Sequence, residues 1–101
     1  MTNRCQQLYA NLTIEQGNVL NTYALLTTAQ DSLLSNQQQQ IAMRLKPGFI
    51  PSDPAYVALH QAAQQLQAQI QAYQAAVTEY QGIIATIRAE IANNCQPGSG
   101  S

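Results

Sequence analysis

The chain has 101 residues, a formal net charge of −1 and only 9% charged side chains, which leaves room for one small domain. Its four cations, Arg4, Arg44, Lys46 and Arg88, are scattered and form no patch. Nucleic-acid binding, which draws its affinity from neutralised phosphates, is therefore not expected. Gln occurs 17 times and Ala 15 times, and both favour helix. An all-α protein is expected.

The first arm is expected to run as helix over about 3–46. Cys5, Leu12, Val19, Leu26 and Leu33 recur every seven residues, with Tyr9, Gln16, Tyr23, Gln30 and Gln37 assigned to the intervening seam positions. Arg44 and Lys46 would sit in the last turn, where cations offset the helix dipole. Asp31-Ser32 or Ser35-Asn36 would cap a new helix if the arm were broken there. Pro47-Gly48-Phe49-Ile50-Pro51-Ser52 cannot continue a helix and, with Asp53, is read as a turn over 47–53.

The second arm, about 54–94, carries the clearest pattern. Tyr56, Leu59, Ala63, Leu66, Ile70, Tyr73, Val77, Tyr80, Ile84, Ile87 and Ile91 alternate spacings of three and four, as in a coiled coil. Asp53 would cap this helix, with Pro54 at its first position. If the turn centres near residue 50, the arms face each other in pairs: Tyr9 with Ile91, Leu12 with Ile87, Val19 with Tyr80, Tyr23 with Val77, Leu26 with Tyr73, and Ile41 with Leu59. The fold expected is an antiparallel two-helix hairpin spanning residues 1–96, with arms of roughly 60 Å. Its core would comprise Leu12, Val19, Tyr23, Leu26, Leu33, Leu59, Leu66, Ile70, Tyr73, Val77, Tyr80, Ile84, Ile87 and Ile91. Residues 97–101, ending Gly98-Ser99-Gly100-Ser101, read as an appended linker.

The same register brings Cys5 and Cys95 together at the open end of the hairpin. A disulfide there would close about 90 residues and contribute about 4.6 kcal/mol in the chain-entropy account. Two facing free thiols are the alternative. A structural disulfide implies an oxidising, extracytoplasmic setting: periplasm, cell surface, secreted fluid or virion. No signal peptide is legible at the N-terminus, and no apolar run is long enough for a membrane span.

Sites for chemistry are missing. His60, the lone histidine, falls at the edge of the second-arm stripe near the turn. Two cysteines and one distant histidine do not make a four-ligand metal centre. Glu15 and Arg88 come near in register and would form an exposed ion pair. No nucleophile has an adjacent base, no glycine-rich phosphate loop is present, and one stripe between two helices is not expected to enclose a small-molecule pocket. The chain reads as a non-enzyme without cofactor or metal.

Leu8, Ile14, Leu20, Leu25 and Leu34 on the first arm, and Val57 and Ile83 on the second, are left over once the seam is assigned. A set of this size suggests a partner surface. Leu20, Leu34 and Ile83 are the expected subunit contacts, with Gly17 and Gly82 as points of close helix approach. The function expected is that of a structural subunit that self-associates or packs into a larger helical bundle, filament or apparatus. A small binding module or inhibitor, docking one helical face on a foreign protein, is the rival reading.

The segment Pro51-Ser52-Asp53-Pro54-Ala55 and the Gln- and Tyr-bearing helix after it resemble the turn of type III secretion needle subunits. The resemblance covers about 15 residues. It implies a small hairpin that stacks with its copies into an extracellular tube. The chain departs from that family in its longer first arm, its lack of a tryptophan-bearing N-terminal stretch and its cysteine pair.

Overall fold

A computed structural model describes residues 3–95 of the chain as an all-α hairpin of two long helices. The linker reading for 97–101 lies outside the described residues. Helix α1 spans Asn3–Arg44 and helix α2 spans Pro54–Asn94. α1 is unbroken through Asp31–Asn36, so neither candidate cap there starts a new helix.

α1 ends two residues sooner than its composition suggests, leaving Lys46 beyond it. Pro47 disfavours helical geometry at the residue before it. Lys46 N–H accordingly tightens onto Met43 O at 3.2 Å instead of reaching back four residues. Two proline turns then follow. Phe49 N–H donates to Lys46 O at 3.2 Å across Pro47-Gly48, with Gly48 at φ 77°. Proline followed by a left-handed glycine defines a type II turn. Asp53 N–H donates to Ile50 O at 3.0 Å across Pro51-Ser52, with no positive φ, as in a type I turn. Asp53 caps α2, its carboxylate accepting the Ala55 N–H at 2.9 Å.

The chain divides into two compact units. The turn unit, Ala24–Gln74, holds the end of α1, the loop and the start of α2. The disulfide unit combines Met1–Tyr23 with Ala75–Ser101. In the turn unit the buried side chains are Leu26, Ala29, Asn36, Gln40 and Ala63; in the disulfide unit they are Leu8, Thr22, Val77 and Ile84. No large side chain is completely buried among the described residues.

On α2 the anticipated stripe is the inward face: every member from Tyr56 to Ile91 is buried or half-buried. On α1 the seven-residue spine is inward too, but its companions are different residues. The inward positions run Cys5, Leu8, Leu12, Glu15, Val19, Thr22, Leu26, Ala29, Leu33, Asn36, Gln40 and Met43, alternating three and four. Tyr9, Gln16, Tyr23, Gln30 and Gln37 are exposed, as is Ile41. Tyr23 is thus no core residue, being 42% exposed, while Leu8, left over by the sequence pattern, is only 3% exposed. The physical reason is volume. α2 brings Tyr56, Tyr73, Tyr80 and five isoleucine or valine side chains to the seam, and Leu8 and Thr22 fill less of it than Tyr9 and Tyr23 would.

Candidate interaction surface

The disulfide unit is closed by covalent chemistry. Cys5 and Cys95 form a disulfide with Cα atoms 5.8 Å apart, within the usual span of such bridges. Cys95 is brought there by the last backbone bond of α2, its N–H donating to Ile91 O at 2.8 Å. Nearby, Arg4 donates to the Glu90 carboxylate, which replaces the ion pair expected between Glu15 and Arg88. Glu15 instead turns inward at a seam position, with one carboxylate oxygen buried and unpartnered, while Arg88 stays exposed. Halfway along α1, at the inner edge of this unit, Gln81 Nε2 donates to the Tyr23 hydroxyl at 3.1 Å, so the exposed tyrosine still ties α1 to α2. Thr22 can lie buried because its hydroxyl donates to Asn18 O at 2.7 Å.

The turn unit is closed by polar and aromatic contacts. Gln40 Nε2 donates to Asn36 Oδ1, and Asn36 Nδ2 donates across the seam to Leu59 O at 2.9 Å. A buried amide pair that reaches the opposite backbone holds one register, because a slip would strand the Asn36 amide without its partner on α2. Neither residue stood out in sequence. Asn36 reads as a possible cap and Gln40 as one of four consecutive glutamines, and only the three-four alternation continued from Leu8 marks them as inward. Phe49 packs edge-on against Tyr56, ring centroids 4.8 Å apart, and the exposed His60 lies face to face with Tyr56 at 6.5 Å.

An open groove of about 500 Å³ also lies in the turn unit, lined by Gln37, Gln40, Ile41, Arg44, His60, Ala63, Gln64 and Gln67. The groove is open to solvent, not enclosed between the helices. It offers amides, one guanidinium and one imidazole, a set suited to hydrogen bonding, with no nucleophile beside a base. No group of three or more His, Cys, Asp or Glu side chains able to hold a metal occurs among the described residues. No helix among them is long and apolar enough to cross a membrane.

The outer faces carry the remaining signal. Of the expected subunit contacts, Leu20 is 70% exposed, Leu34 55% and Ile83 37%. Ile14, Leu25 and Val57 are exposed as well, and Tyr9, Ile41, Leu45 and Ile50 join them. Gly17 and Gly82 have open space where a Cβ would stand, so packing within the chain requires neither.

These features define a disulfide-closed α-helical hairpin with large aliphatic side chains on its outer faces. Comparison of the chain with known protein families, with curated proteins and with solved structures found no match.

Proposed function

We propose that this chain is a non-catalytic building block, a stapled hairpin that packs against copies of itself in an extracytoplasmic or virion assembly. One observation carries the reading. Among the described residues eleven large apolar side chains are exposed and four, Leu8, Leu26, Val77 and Ile84, are buried; of the exposed ones Leu20, Leu25, Leu34, Ile41 and Leu45 are all about half exposed or more. A two-helix seam cannot cover them, and further helices would, as in bundles and filaments. The sparsely charged, Gln-rich surface supports this, since helices with few like charges approach with little repulsion. The disulfide supports an oxidising location. A tube of stacked hairpins, as the likeness to needle subunits implies, is one form of the same proposal.

The test is absolute mass in solution, by light scattering behind size exclusion, over a range of concentrations. Growth of mass with concentration, or a defined oligomer, is expected. A single 11.0 kDa species throughout would sink self-assembly and make the outer leucines a docking face for a foreign protein instead.

A further inference from the structure

In the disulfide unit a destabilising residue and a reducible bond share one seam. Glu15 stands inward between Leu12 and Val19, with one carboxylate oxygen buried and without a hydrogen-bond partner. α1 contains no cation from Cys5 to Thr22. From Tyr80 on, the inward residues of α2 and its end are Tyr80, Ile84, Ile87, Glu90, Ile91 and Cys95, again with no cation. Arg4 is engaged with Glu90, and Arg88 is exposed. A carboxylate taken from water without a donor or an opposite charge favours the open state, in which water solvates it. The inward amides of the turn unit have no such deficit, because Asn36 and Gln40 bond each other and Asn36 bonds Leu59 O.

We propose that the Cys5–Cys95 bond is a redox latch on this unit, and that Glu15 is the residue that drives it open once the bond is reduced. Oxidised, the bond holds the helix ends together against the buried carboxylate. Reduced, the disulfide unit parts while the turn unit, closed by its own turns, cap and amide pair, keeps its helices together. The latch acts within one chain and needs no second copy. It ties the shape of the protein to passage between an oxidising and a reducing compartment.

The bond is placed for exchange. Cys5 lies in the first turn of α1 and Cys95 just past the end of α2, and both are half-buried. A dithiol reductant attacks one sulfur as its thiolate, forming a mixed disulfide and expelling the other cysteine as a thiolate, which takes up a proton. The second thiol of the reductant then gives up its proton and attacks the mixed disulfide, and the remaining cysteine leaves and is protonated. Two electrons pass to the protein: Cys5 and Cys95 end as thiols and the reductant as a disulfide. Oxidised glutathione, as a disulfide donor, reverses the sequence and ends as two thiols.

The experiment is segment-resolved amide hydrogen exchange on the full-length chain at low concentration, oxidised, reduced with dithiothreitol, and reoxidised with oxidised glutathione. Reduction should lower protection in 3–23 and 75–94 by about a hundredfold or more, and in Ala24–Gln74 by less than about tenfold. Reoxidation should restore the parent pattern. Cys5→Ser should show the open pattern with no reductant present. Glu15→Leu removes the buried charge with little change in helix propensity. When reduced, that variant should keep at least about tenfold more protection in the disulfide unit than the reduced parent. Glu79→Leu removes an exposed carboxylate from the same unit and should leave the reduced chain as open as the parent. A reduced parent that stays protected in the disulfide unit would overturn the latch, as would equal loss of protection in both units. Glu15→Leu that exchanges like the reduced parent, or Glu79→Leu that closes the chain equally well, would overturn the part given to the buried carboxylate.

Discussion

The two units of this hairpin keep their helices paired by different means. The disulfide unit relies on a bond between residues at the far ends of the chain, supported by an exposed ion pair and a tyrosine–glutamine bridge. The turn unit has no covalent tie. It relies on two consecutive proline turns, a capped helix start and a buried amide pair anchored to Leu59 O. Chain entropy explains the division. Next to the turn the partners are already close, so weak polar contacts suffice to set the register. At the open end the chain between them is about 90 residues long, and closure there is most costly to leave to non-covalent forces.

Breaking that contrast at its strongest point means removing the disulfide. Cys5→Ser should lower stability by up to about 4.6 kcal/mol under oxidising conditions, read from the midpoint of urea unfolding. Under strong reductant, parent and variant should unfold together. Amide hydrogen exchange should show the loss concentrated in the disulfide unit.

The turn unit should respond next. Asn36→Ala leaves Gln40 buried without its partner and should cost about 1–3 kcal/mol. Its signature is faster exchange in Ala24–Gln74 with the disulfide intact. A change confined to the other unit would show that the amide pair does not hold the turn-side register.

Glycines sharpen the contrast because they predict opposite signs. Gly48→Ala forces a side chain into a left-handed backbone at φ 77° and should destabilise by about 1 kcal/mol. Gly17→Ala and Gly82→Ala add a Cβ into open space in mid-helix and should each stabilise an isolated hairpin by about 0.5–1 kcal/mol. If either weakens association while raising the melting temperature at low concentration, that glycine lies against a neighbouring copy.

Arg4→Gln should give the smallest effect. Arg4 and Glu90 are 63% and 40% exposed at the side chain, and such pairs contribute about 0–1 kcal/mol and less in salt. A loss above about 2 kcal/mol would mean that the ion pair shares the closing role now assigned to the disulfide.

Much of this architecture is legible in the amino-acid order because it depends on local rules. Pro47, Gly48, Pro51 and the Asp53-Pro54 start are incompatible with continuous helix, whatever surrounds them. The apolar alternation of α2 admits a single inward face, and a turn near residue 50 then brings Cys5 to Cys95. The inward face of α1 is another matter. Its spine of Cys5, Leu12, Val19, Leu26 and Leu33 is compatible with companions on either flank, Tyr9 and Tyr23 on one side or Leu8 and Ala29 on the other. Both choices have the same average period, and both mix apolar with polar residues. Only packing against α2 separates them, because the bulky residues already on that helix leave space for Leu8 and Thr22 and not for the rings of Tyr9 and Tyr23. The same tertiary choice buries Asn36 and Gln40 and leaves Leu34 and Ile41 exposed.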